Sequence, residues 1–334
     1  MDSEAILPTL IKWDGETGPK KTEERLREYL KDNDEEFAEA PLARAEFLTQ
    51  IARAQGLQGN FADAHLTIKA VKEAVEKAET EHSDDYDVIL GDARRVRVRY
   101  LLEYGRLINS AGNPKGEYSY ENLKNELYCF ATESISSFRT ASQLCRLGLM
   151  DHDILSPYLV DALHMLAIVD KEDAVSSANW TAKAIQICEK SQNPKTKNWL
   201  GSLLNNHGWD LFSMGDYDAA LEAFKKAVDE RKKAKPFNKV TLNIAHWAVA
   251  RCLRAMGDID AALEIQLSLP EANAVYVCEE RAILYSLLSS KAKDQVEVDE
   301  KLGLAKEFAL KALSMFKENE VSEERLQVLR ELSV

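Results

Sequence analysis

Nowhere in the 334 residues do 18 apolar side chains follow one another, so no segment is a candidate for a bilayer-spanning helix. The opening Met1-Asp2-Ser3-Glu4 lacks the basic start and apolar stretch of a secretory leader, and a cytoplasmic protein without a membrane partner is expected. Cysteine is scarce: Cys129, Cys145, Cys188, Cys252 and Cys278 are odd in number and contain no C-x-x-C pair, which argues against a disulfide framework or a thiolate metal centre. They read instead as small buried hydrophobes in a reducing compartment. Basic residues are outnumbered 43 to 56, a net charge of −13. Nucleic acid and anionic membranes both demand surplus Lys and Arg, so neither is expected as a partner.

Strand patterning is missing too, because alternation at period two never persists beyond three or four residues. The motifs HExxH, GxxxxGK[ST] and GxSxG are all absent. The chain is therefore read as non-enzymatic, with no catalytic residue, no metal ligand and no cofactor. One polar arrangement invites chemistry: His164 and His207 lie 43 residues apart, with Asp161 three before the first and Asp210 three after the second. Two imidazoles and two carboxylates could hold a divalent ion. The simpler expectation is a pair of partly buried, hydrogen-bonded histidines.

What is present is a recurrence. Glycine followed by Asn or Asp occurs seven residues after a small residue four times: Ala52/Gly59-Asn60, Gly105/Gly112-Asn113, Gly208/Gly215-Asp216 and Ala250/Gly257-Asp258. Downstream, Ala141, Ala184, Ala227, Leu269 and Ala312 follow one another at intervals of 43, 43, 42 and 43 residues. A period of that length means stacked units. Within each unit the glycine ends a helix at positive φ, and the Asx side chain caps the next helix. Two antiparallel helices joined by a tight turn result. In the second helix Ala220, Phe224 and Ala227 share one face, an apolar stripe that a single hairpin cannot bury but a stack can. Pro157, Pro194, Pro236 and Pro270 fall at or near the joins.

The spacing from Gly208 to Ala227, with Gly215-Asp216-Tyr217, Ala220 and Phe224 between, resembles the tetratricopeptide repeat. The 42 to 43 residue period and Leu204-Asn205-Asn206 are similar to the long-helix subgroup typified by kinesin light chain. The resemblance spans roughly residues 42 to 317 and is most specific in the Gly208 and Ala250 units. Elsewhere the pattern departs: Val169-Asp170-Lys171 replaces one turn, Pro114 to Asn122 is inserted into another, and Lys291 to Lys301 loses the signal. The resemblance implies an all-α, right-handed superhelical solenoid of antiparallel helical hairpins. Residues 1–40 form a lead-in, 41–317 the array and 318–334 a capping helix with Leu326, Leu329 and Leu332 at helical spacing. Residues 1–20 have a loop-like composition, and a charged helix follows from Thr22 to Asp32.

The resemblance also implies that the first helix of each hairpin lines a concave groove. The positions it assigns are Arg99, Leu102, Glu103, Arg106 and Asn109 in one unit. In the next two they are Ser202, Asn205, Asn206, Trp209 and Phe212, then Ile244, Trp247, Ala248, Arg251 and Arg254. Asn side chains hold a peptide backbone by donating and accepting together, Arg forks pair with carboxylates, and Trp supplies flat anchors. The expected function is a scaffold binding a peptide segment with acidic and aromatic or aliphatic side chains. The alternative is a receptor whose groove takes a small peptide or metabolite and changes the superhelix. The bland counterpart is that the indoles pack between helices and the arginines pair with Glu103 or neighbouring acids.

Overall fold

Helix α4 (Pro41–Leu57) ends on Gly59 at φ 79°, and the same conformation recurs at Gly215 (80°) and Gly257 (88°). Side chains with a Cβ resist this region, which is why glycine stands at all three turns. The Asp216 N–H donates to Leu211 O (3.1 Å) and Gly215 N–H to Phe212 O (3.0 Å); Asp258 and Gly257 repeat the pattern on Leu253 and Arg254. These paired bonds satisfy the last carbonyls of the outgoing helix in a Schellman turn. The Asp216 and Asp258 carboxylates then accept from Ala219 N–H (3.2 Å) and Ala261 N–H (3.3 Å), capping the incoming helix.

The structure, a computed structural model, describes residues 3–13, 17–81, 89–110, 136–145, 155–169, 174–270, 275–316 and 322–334. Among the described residues all regular structure is helical. The Gly112-Asn113 turn, the insertion at 114–122, Cys129 and the Asp170-Lys171 turn lie outside them. Two compact units divide the chain, Met1–Lys197 and Asn198–Val334.

In the first unit α1 (Ser3–Leu10), α2 (Gly18–Asp32) and α3 (Asp34–Glu39) precede α4, which forms a hairpin with α5 (Phe61–Glu81). Then come α6 (Ile89–Asn109), helical residues 136–145 (α7), the hairpin of α8 (Ser156–Val169) and α9 (Ala174–Lys190), and the single turn α10 (Pro194–Lys197). Segment 3–10 is helical where composition suggested a loop. Its Leu7 is buried with Leu26, Leu30, Phe37, Phe47 and Ile51, so tertiary burial outweighs the helix-breaking tendency of Pro8. The Tyr29 ring stacks on Phe47 at 5.5 Å and Phe37 meets Phe47 edge-on at 5.1 Å. This cluster covers one side of α4.

In the second unit α11 (Leu200–Ser213) pairs with α12 (Tyr217–Lys233), α13 (Lys239–Ala255) with α14 (Ile259–Ser268) and α15 (Val275–Ser289) with α16 (Gln295–Met315). The terminal α17 (Glu323–Leu332) lays Leu329 and Leu332 on the core of the last hairpin beside Phe308, Ala309 and Ala312.

The small residues of the recurrence have a direct partner. A Cβ on Gly208 would lie 2.4 Å from Phe224 Cε1, and one on Gly105 would lie 2.7 Å from Phe138 Cζ. Each glycine thus clears the seat of a ring from the second helix. Where alanine stands instead, at Ala52 and Ala250, the position of the ring is taken by Ile68 and Gln266. Small and large residues trade volume within a hairpin, as close packing demands. Ala141, Ala184, Ala227 and Ala312 are fully buried, and Leu269 is buried as well.

Candidate functional site

In the first unit the arginines named from the sequence are held by the chain's own carboxylates. Glu46 on α4 is fully buried and takes Arg99 Nε at 2.6 Å and Arg95 at 3.2 Å, both from α6, together with the Ser3 hydroxyl from α1. Arg99 also donates to Tyr158 Oη (2.5 Å) and lies 4.8 Å from that ring. Arg106 donates to Glu103 (2.8 Å) and Asp161 (2.5 Å); Glu103 accepts in addition from Arg53 (3.2 Å). Burial opposes the Arg106 charge, yet Asp161 and Glu103 together hold it above its ordinary range. Asn109 is exposed at the end of α6. The start of the chain lies over these groups: Arg53 sits 5.4 Å from the Trp13 ring. Leu7, Pro8 and Ile11 share with Arg99 and Tyr158 the lining of a cavity of about 480 Å³.

The second unit gathers its aromatic residues in a row. Trp209 on α11 packs on Phe224 at 4.9 Å and on Trp247 of α13 at 5.7 Å; Trp247 meets Tyr276 of α15 at 6.0 Å, and Tyr276 meets Phe316 at 6.1 Å. The Trp247 Nε1–H donates to Tyr276 O (3.1 Å), which fixes the indole on the neighbouring helix. Both indoles are therefore packing residues, while each also keeps part of its surface open. Tyr276 is 46% exposed and Ile244 is 49% exposed.

Arginines border this row. Arg254 pairs with the buried Glu280, and Arg325 of α17 donates to the buried Glu279 at 2.8 Å while lying 5.3 Å from the Tyr276 ring. Arg251 differs. Its guanidinium rests over Trp247, 5.4 Å from the ring centroid, and no hydrogen-bond or ion-pair partner for it occurs among the described residues. Burial lowers its pKa from the ordinary value, with Glu280 pulling the other way and Arg254 reinforcing the burial. A half-buried guanidinium with no directly bonded carboxylate is a costly arrangement that an incoming carboxylate would relieve.

Asn205 and Asn206 on α11 sit one turn before Trp209, and the Asn205 Oδ1 is buried without a hydrogen-bond partner among the described residues. Tyr276, Glu279, Glu280, Phe316 and Arg325 were not singled out from sequence. Their hairpin closes through Lys291 to Lys293 without a positive-φ glycine, and Asp294 caps α16 by accepting from Glu297 N–H (2.9 Å). An Asp followed by a helical pattern was the available signal.

His164 and His207 fall in different units. Among the described residues no three or more His, Cys, Asp and Glu side chains gather as a metal site would require. Burial depresses the pKa of both imidazoles, more than Asp161 or Asp210 can raise it. Cys145, Cys188, Cys252 and Cys278 are buried; burial pushes the thiols of Cys145 and Cys188 up to about 12, so they remain protonated and unreactive. Among the described residues no helix is long and apolar enough to cross a membrane.

These features define an all-helical protein built of antiparallel helical hairpins. No family model matches the chain, and no curated protein matches it. The chain is similar to the crystal structure of BtubC (BKLC) from P. vanneervenii, with 13% identity, a TM-score of 0.48, and coverage of 80% of this chain and 92% of that one. Nothing about function follows from a likeness of that degree.

Proposed function

We propose that the protein is a non-enzymatic interaction scaffold of the long-repeat tetratricopeptide kind, holding a peptide segment of a partner along the aromatic row of its second unit. Arg251 carries the reading: a partly desolvated guanidinium, stacked on an indole and lacking any carboxylate of its own among the described residues. The preferred segment presents an Asp, Glu or terminal carboxylate to Arg251 and sets an aromatic or aliphatic side chain against Trp247, Trp209 and Tyr276. Asn205 and Asn206 offer both hydrogen-bonding senses to an extended backbone. Arg254 orients the site through Glu280. Arg99, Arg106 and Asn109 belong to the first unit and are not part of this site; Arg99 and Arg106 are already neutralised by the chain's own carboxylates. Buried thiols outside any disulfide, at Cys145, Cys188 and Cys252, support a reducing compartment such as the cytoplasm.

A displayed random-peptide library selected on the wild-type chain tests this. Enriched sequences should pair an acidic residue with an aromatic or aliphatic neighbour and lose roughly tenfold or more in affinity for Arg251→Gln. Selection of sequences without acidic residues, or equal binding by the variant, would count against the proposal.

A further inference from the structure

A second half-buried guanidinium stands apart from the aromatic row. Arg231, near the end of α12, donates from Nη2 to Ser202 Oγ (2.5 Å), and no ion pair or other hydrogen bond of its side chain occurs among the described residues. Its stem lies against α11 at Gly201, where a Cβ would be 3.1 Å from Arg231 Cδ and Nε. The absence of a side chain at 201 is what lets the guanidinium reach Ser202. Around it is a pocket of about 140 Å³ lined by Ser202, Asn205, Asn206, Thr241 and Ile244 from α11 and α13. Its polar lining is hydroxyl and carboxamide rather than carboxylate. The buried, unpartnered amide atom of Asn205 belongs to this lining.

We propose that this pocket binds a phosphoryl group. Arg231 has five N–H donors and uses one within the chain, the Ser202 hydroxyl can donate, and Asn206 adds an amide donor. Turning the Asn205 amide over places Nδ2 where Oδ1 now lies and supplies a further donor. These donors approach from two different helices while α13 closes the third side, an arrangement suited to the diverging oxygens of a tetrahedral anion. A planar carboxylate would leave part of the set unused. Burial lowers the Arg231 pKa from its ordinary value. The His246 imidazole on α13 is pushed down as well, first by burial and then by Lys232. The pocket shares Asn205 and Asn206 with the peptide reading but neither Arg251 nor Trp247, so Arg251→Gln separates the two.

Isothermal titration of the full chain with inorganic phosphate, N-acetyl-O-phosphoserine amide and acetate tests the assignment, alongside Arg231→Gln, Asn206→Ala and Arg251→Gln. Saturable binding of either phosphoryl compound is expected, weakened roughly ten- to a hundredfold by Arg231→Gln and unchanged by Arg251→Gln. Tighter binding of the phosphoserine derivative marks a modified side chain as the source, and tighter binding of phosphate marks the free anion. Should Arg231→Gln lose its helical circular dichroism, Asn206→Ala supplies the weakening instead. Absence of binding by both phosphoryl compounds, acetate binding as well as phosphate, or full affinity in a folded Arg231→Gln would each overturn the proposal. Peptide selection that depends on Arg251 while phosphate fails to bind would leave the groove standing and remove this pocket alone.

Discussion

The two units carry similar side chains on their first helices and arrange them differently. In the first, Glu46 is shared by Arg95 and Arg99, and Glu103 by Arg53 and Arg106, so each carboxylate bridges two cations and every one of those arginines has a partner. In the second, Glu280 serves Arg254 and Glu279 serves Arg325, one to one, and Arg251 is left to its indole. Cations outnumber acids in both clusters. On the proposed reading, what separates the self-satisfied network of the first unit from the ligand surface of the second is how the acids are distributed, and a count of charges does not reveal it.

If the first network is structural, removing its centre should have the largest effect. Glu46→Ala strands Arg95 and Arg99 together and is expected to cost about 3 kcal/mol of stability in urea denaturation. A loss below about 0.5 kcal/mol, the ordinary size of a surface change, would erase the contrast between the units. Next in size are the glycine seats, which both units share. Gly208→Ala and Gly105→Ala should each cost about 1–3 kcal/mol, because Phe224 and Phe138 occupy the space a methyl needs. Trimming the ring with Phe224→Leu in the Gly208→Ala background should recover part of the loss in a double-mutant cycle.

Acid should weaken both units. His164 in the first and His207 and His246 in the second have folded pKa values below their ordinary 6.5. Just below pH 6.5 the unfolded chain binds protons that the folded chain does not, so the stabilisation present above pH 6.5 is lost as pH falls through the folded values. Melting temperatures across that window should decline, and His164→Gln should flatten the decline. The smallest stability effect is expected at Arg251→Gln, within about 0.5 kcal/mol of wild type or slightly stabilising, since it removes an unpaired cation.

The turns were legible in the sequence because their causes are local. Gly59, Gly215 and Gly257 take positive φ, and Asp216 and Asp258 cap the next helix within three residues, so spacing alone carried the information. The helix-pair stacking followed from the same spacing. The proposed groove residues were legible only as places on a first helix; of them, Trp209, Trp247 and Arg251 share one region. Their partners were not. The Glu46 to Arg99 pair joins residues 53 apart across two hairpins, and choosing it over other acids requires the packing that brings α4 beside α6. Helix α1 was hidden because Pro8 and nearby loop-like composition masked a segment whose Leu7 is held by distant residues. Arg231 escaped because it lies on a second helix and reaches the α11 face only past Gly201.

Peptide affinity and thermal stability measured together on Arg251→Gln and Arg106→Gln test the central claim most directly. With a selected acidic and aromatic peptide, Arg251→Gln should lose roughly tenfold or more in affinity at unchanged melting temperature, whereas Arg106→Gln should lower the melting temperature and leave affinity close to wild type. Reversal of that pattern, with Arg251 needed for folding and Arg106 for the peptide, would contradict the account.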